Sequence, residues 1–229
     1  MLHPRFIALL LLPALLAIAP STRPADSNDV VLKIAKSFKD GGGYNVKWTG
    51  TGCPEEIRFK GERIMHKGTG GTYCCGFTLD VVIEAAADLH LLDDKTPDDL
   101  KLLHKHWYGV TSDPHIQELQ CIYGLEHLGI GHQVKTDDAR PGDFCQFYRA
   151  KGGHSVVFMG WAIKDGKRVG LNFRSSQEST KGIGDKTEYF ADTGIEGAKV
   201  LRDRVYFGRL NHAPANTKTN LATQSGDHG

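Results

Sequence analysis

Apolar residues crowd the stretch after Cys74. Phe77, Leu79, Val81, Val82, Ile83, Ala85, Ala86 and Leu89 predict an apolar helix about four turns long that begins at the cysteine. Before it, Val30, Val31, Ile34, Ala35 and Phe38 share one face of a short helix that Asn28-Asp29 can cap and Gly41-Gly42-Gly43 stops. A brief strand is expected over residues 44–48, and residues 58–65 lead into a Gly-rich turn. Thr96-Pro97-Asp98-Asp99 is a strong helix start, with a capping Thr, Pro at the first position and acids in the first turn; that helix ends near Trp107-Tyr108-Gly109. Asp113-Pro114 starts another, with Ile116, Leu119, Ile122 and Tyr123 on one face, closing near Gly129 or Gly131. The period then changes. After the turn Arg140-Pro141-Gly142-Asp143, strands are predicted over residues 144–149, 154–163, 169–174 and 200–207, with Asp165-Gly166 as a hairpin turn. Helices first and an antiparallel sheet second predict an α+β domain.

The chain has 229 residues, enough for one domain with a substantial core. Lys and Arg number 28 against 27 Asp and Glu, and no basic stripe interleaved with aromatics occurs, which argues against nucleic acid as a partner. Residues 1–21 read as an export signal: His3 and Arg5 precede an apolar run from Phe6 to Ala19 that is short for a bilayer span. A retained membrane anchor is the rival reading. After signal removal no stable membrane insertion is expected, and the mature chain is expected to be secreted or periplasmic. Residues 22–57 form an N-terminal extension, residues 58–210 the main domain, and the polar residues 211–229 a disordered tail.

Export permits disulfides, but five cysteines (Cys53, Cys74, Cys75, Cys121, Cys145) leave at least one thiol unpaired. Cys74 is the candidate to stay free. A helix N-terminus carries roughly +0.5 of a charge, which favours thiolate, the nucleophilic form. Its free N–H groups can hold an oxyanion. His154 opens a predicted strand after Gly152-Gly153 and can supply the base. Cys75 is the rival nucleophile. Gly153 lets another backbone come close. His104-Lys105-His106 fits a solvated helix end better than a zinc motif, and Asp143 caps the Pro-Gly turn. No metal or other cofactor is expected. The segment 175–184 reads equally as a substrate-binding loop or a polar connection.

This order of Cys on a helix and His on a strand resembles the papain-like hydrolases, and within them most the NlpC-type cell-wall peptidases, with the CHAP amidases as near relatives. Tyr73-Cys74-Cys75-Gly76-Phe77 is similar to their nucleophile motif Asp-Cys-Ser-Gly-aliphatic, Pro141-Gly142-Asp143-Phe144 to their Pro-Gly-Asp before a strand, and Gly153-His154-Ser155-Val156-Val157 to their Gly-His-Val-Gly-aliphatic. Tyr73 replaces the family's acid, and the residues that usually precede the nucleophile are missing. The resemblance implies a papain-like NlpC-type fold and a cysteine hydrolase that cleaves an amide, with a peptidoglycan stem peptide or other peptide as substrate. The third polar group that orients the imidazole is sought in residues 171–177, where Asn172, Ser176 and Gln177 all qualify and Gln177 is preferred. Tyr73, Arg174 and Ser176 are the candidate substrate contacts. The alternatives are an inactive envelope binding module of the same fold and an acyltransferase using the same Cys.

Overall fold

The computed structural model describes residues 26–212. The expected export signal lies outside them, as does nearly all of the expected tail. Among these residues the chain is α+β, a layer of helices against a seven-stranded antiparallel sheet.

Helix α1 (Ser27–Ser37) is capped by Asp26, which accepts from the Asn28 N–H, so its cap lies two residues earlier than the Asn28-Asp29 reading. Strand β1 (Gly41–Gly42) follows. Residues 44–48 form no strand: Tyr44 makes one bridge to Thr72, and Trp48 turns the chain with φ 54°. Strands β2 (Ile57–Phe59) and β3 (Glu62–Met65) pair as a small separate hairpin. Helix α2 (Cys74–Asp88) is buried along most of its length, as its apolar composition requires. Helix α3 (Pro97–Trp107) carries a full capping box between Thr96 and Asp99. The next predicted helix is two: α4 (Pro114–Leu119) and α5 (Cys121–Leu128), broken at Gln120.

The sheet strands are β4 (Gly131–Val134), β5 (Phe144–Arg149), β6 (Gly153–Lys164), β7 (Lys167–Gln177), β8 (Gly182–Tyr189) and β9 (Val200–Leu210), in the order β1-β8-β7-β6-β5-β9-β4. The segment 175–184 is therefore neither a free loop nor a plain connection. It contains the end of β7, a short 3₁₀ turn and the start of β8.

The two sheet faces bury different cores. Phe144, Val157, Ile183 and Leu210 pack under the helices with Phe77, Val81, Leu103, Trp107 and Ile122. The other face buries Phe147, Val156, Phe158, Leu171, Phe173, Phe190 and Phe207, and no helical residue belongs to that cluster. This second core is closed by residues of the sheet itself and by Phe190 and Ala139 outside the strands. The register shifts on β5, β6 and β7 supply local bends. Asp143 does more than cap its turn. Fully buried, its carboxylate accepts from the Arg140 N–H, from Asn28 and from two nitrogens of Arg209, which ties α1, the turn and β9 together.

Candidate functional site

Tyr73 is the N-cap residue of α2 but gives the helix no side-chain cap, so its side chain leaves the first N–H groups to other partners. The glycine of the Cys-Cys-Gly motif has a steric cause. A Cβ on Gly76 would stand 2.2 Å from the Gly52 carbonyl oxygen, so only glycine lets the loop at residues 52–53 close over the first turn. That loop brings Trp48 and Tyr73 together, their rings stacked 5.7 Å apart at 15°.

Cys74 sits on the floor of a pocket of about 340 Å³ lined by Trp48, Tyr73, Cys75, Tyr108, Val110, Gln120 and the segment 152–155, which includes His154. All five cysteines are free thiols. The Cys75 side chain hydrogen-bonds the Cys74 sulfur and is the largest cause holding the Cys74 thiol well below the usual cysteine range. Burial opposes this, while the charge and hydrogen bond of His154 and the backbone N–H of Ser155 add to it. Cys75 moves the other way, because the same hydrogen bond and its own burial favour the protonated form. Of the two, Cys74 is the thiol shifted toward the thiolate: His154 and the Ser155 N–H lower it and do not act on Cys75. The remaining cysteines are pushed up by burial, Cys53 to about 11 and Cys121 and Cys145 further.

The β6–β7 ladder runs only as far as the pair Val157 and Arg174. Beyond it the strands are held by Ser175, whose hydroxyl donates to the Ser155 carbonyl. Residues Val156 and Phe158 of β6 face the second core, and His154 shares their parity. Its ring is packed edge-on against Phe147 and Phe173, both at 5.5 Å, and its Nε2 is buried with no hydrogen-bond partner. By parity Ser155 lies on the helix face, and the His154 ring, packed on the rings of the second core, lines the same pocket as Cys74. Two residues missed by sequence reasoning surround this point. Gln146 accepts from the Ser155 hydroxyl at 2.5 Å, and Gln120 lines the pocket. Gln146 is visible in the sequence only as a polar residue in a predicted strand, and Gln120 carries no signal at all.

The candidate orienters are engaged elsewhere. Gln177 donates through Nε2 to Thr180 and the Gly184 carbonyl, and its Oε1 is buried without a partner. Asn172 donates to the Trp161 carbonyl and accepts from Thr187. Ser176 shares a 2.7 Å hydrogen bond with Thr72. None of the three hydrogen-bonds the imidazole. Arg174 is a structural residue, not a substrate contact: it is buried and binds the carbonyls of Ala35 and Phe38 and the carboxylates of Asp40 and Asp185, closing the C-terminal end of α1. Arg174 and Ser176 do not line the pocket, whereas Tyr73 does.

A Cβ on Gly153 would meet the side chains of Gln146 and Tyr148, so the close neighbour there is side chain and not backbone. His106 is buried, not solvated; it packs against Tyr123 and His127, with Nδ1 unpaired. Among the described residues no group of three or more His, Cys, Asp or Glu side chains is arranged to hold a metal ion, and no helix is long and apolar enough to cross a membrane. No family model matches the chain, and no curated protein or solved structure does either.

Proposed function

We propose that this chain is a secreted cysteine hydrolase of papain-like, NlpC-type fold that cleaves an amide bond through Cys74 and His154. The observation that carries the reading is the difference among five thiols in one domain. Only Cys74 is held below the ordinary range, and it shares its pocket with an imidazole. The order of elements, a nucleophile-bearing helix followed by a strand-borne His, supports the fold assignment.

In the proposed reaction His154 takes the Cys74 proton and the sulfur adds to the amide carbonyl. The helix-start N–H groups of α2 hold the oxyanion; loss of one such donor typically costs ~10²–10³ in rate. The C–N bond then breaks as His154 returns the proton to the leaving amine, and water hydrolyses the thioester to release the acid. Because Gln177, Asn172 and Ser176 are all engaged elsewhere, the site works as a Cys–His dyad in which Phe147 and Phe173 hold the ring by packing. Peptidoglycan stem peptides are the substrate class that the resemblance implies.

The buried, unpartnered Nε2 of His154 favours one second reading, a binding module of the same fold without turnover. Iodoacetamide at pH 6, with the label mapped by mass spectrometry, separates the two. A hydrolase labels at Cys74 first. A chain whose thiols all react as slowly as an ordinary cysteine is the binding module. Label on Cys75 moves the nucleophile by one residue.

A further inference from the structure

The pocket over Cys74 contains no Asp, Glu, Lys or Arg side chain. In a chain with 28 basic and 27 acidic residues this is a selective property of the site. Its walls are more apolar than their residue types suggest. The Tyr73 hydroxyl donates to the Gly50 carbonyl and the Tyr108 hydroxyl to the Thr51 carbonyl, both at 2.5 Å, so the polar ends of both rings are consumed by the loop. Trp48 and Val110 stand at the rim, 56% and 61% exposed. Both are large apolar groups left in water beside a nucleophile, where a bound molecule would cover them.

One neutral polar group completes the lining. Gln120 adopts φ 42° and ψ −103°, a conformation that a non-glycine residue holds only at a cost, and it breaks the helix to do so. Its amide has no hydrogen-bond partner within the described residues and is half-buried. A strained backbone that delivers an unpaired amide to a nucleophile's pocket is suited to reading an uncharged polar group on a ligand.

We infer that the Cys74 pocket takes an uncharged acyl group whose flat or bulky apolar side chain, next to the scissile carbonyl, lies against Trp48 and Val110, with the Gln120 amide on the adjoining neutral amide. This rests on Cys74 being the nucleophile, as proposed above. It selects among substrates: a charged carboxylate or ammonium beside the scissile bond loses its hydration on entry and meets no charged side chain beyond the Cys74–His154 pair, which already neutralises itself.

Three probes of one chemistry test it: chloroacetamide, N-benzylchloroacetamide and the benzyl probe bearing a para-carboxylate. In each, the Cys74 thiolate displaces chloride and forms a C–S bond. Each rate is divided by the rate of the same probe with glutathione at the same pH. The neutral benzyl probe is expected to react ~10-fold faster than chloroacetamide, the size of one good aromatic contact, and ~10-fold faster than its carboxylate analogue. Trp48→Ala removes most of the benzyl advantage. Val110→Lys, at an exposed position that tolerates the change, inverts the preference toward the carboxylate. Rates within about twofold for all three probes on the native chain, or ratios indifferent to both variants, overturn the inference while leaving Cys74 as a nucleophile. Failure of every probe to label Cys74 overturns both.

Discussion

Two pockets lie on either side of Tyr73 and the loop at residues 52–53 that packs on it, and both contain a cysteine. The larger, about 520 Å³, is lined by Cys53 together with Lys39, Glu55, Lys67, Glu84 and Thr72. The smaller holds Cys74 and no charged side chain. Size and charge single out the first as the site; the chemistry of the sulfur selects the second. Cys53 is buried at 3.4 Å from the Tyr108 hydroxyl, and burial lifts its thiol to about 11, with the nearby Asp80 charge adding to the rise. Cys74 is equally buried, yet a thiol, an imidazole and a backbone N–H converge on its sulfur and more than offset the same desolvation. Burial alone makes a thiol inert; burial with hydrogen-bond donors aimed at the sulfur makes a nucleophile.

The largest expected effect breaks or keeps that contrast outright. Cys74→Ala is expected to lower turnover of a neutral amide substrate by ~10⁶, the usual consequence of deleting a nucleophile, while Cys53→Ala leaves turnover in place. His154→Ala is expected to remove turnover as well. Comparable losses from both cysteine variants would mean that the two pockets form one site.

A smaller effect sharpens the same contrast by pH. An acid whose pKa is depressed keeps its ionised form as pH falls. At pH 6 a thiol with the ordinary pKa near 8.5 is only ~0.3% thiolate, so Cys74 is expected to alkylate ~10–100-fold faster than a model cysteine, and Cys53 slower than one. His154→Ala should take away part of the Cys74 advantage, the Cys75 hydrogen bond keeping the larger share. An alkylation rate at Cys74 that climbs only above pH 8 would remove the argument from convergence on the sulfur.

Asp80, two turns along α2 from Cys74, holds the dividing loop by accepting the Glu55 N–H at 3.1 Å. Burial raises its carboxyl to about 7, with the charges of Glu84 and Glu55 adding to it. For an acid whose folded pKa is raised, the native state binds the extra proton, so stability declines as pH rises from about 4 to about 7 and is level above. Asp80→Asn keeps the acceptor and removes the charge. It is expected to stabilise by on the order of 2 kcal/mol at pH 8 and by nothing at pH 4 in denaturant titrations. Equal effects at both pH values would show that Asp80 is ionised without penalty.

Much of this architecture is written in periodicity. Helix α2 begins at Cys74, and α3 at the Thr96 capping box, because apolar spacing and cap chemistry act locally. Strands β5, β6, β7 and β9 and the Asp165-Gly166 turn follow from short apolar runs. Strand β8 is hidden because Gly182, Gly184, Asp185 and Lys186 have little strand preference; it exists through pairing with β7, and Glu188 is buried there only because Arg149 and Lys186 neutralise it. The break at Gln120 has no Gly or Pro to announce it. The site shows the same division. Cys74 and His154 are visible as residue types at element starts. The fates of Gln177, Ser176 and Arg174 depend on partners distant in sequence, such as Thr72 and Ala35, that no local pattern names.

The smallest effect tests whether the two pockets are electrically separate. Lys67 and Glu55 form an ion pair at 2.9 Å on the rim of the charged pocket, both side chains more than half exposed. Exposed pairs contribute ~0–1 kcal/mol, so Lys67→Met is expected to change stability by less than about 1 kcal/mol. Its more informative readout is the Cys74 titration. Lys67 is not among the groups that lower the Cys74 thiol, and solvent with salt screens a charge on that rim. The pH at which Cys74 alkylation reaches half its maximum is therefore expected to stay where it is in Lys67→Met at 0.15 M salt. A move upward would mean that the lysine's charge reaches the sulfur through the dividing loop. The charged pocket would then belong to the electrostatics of the site, and the contrast between the two regions would be one of shape alone.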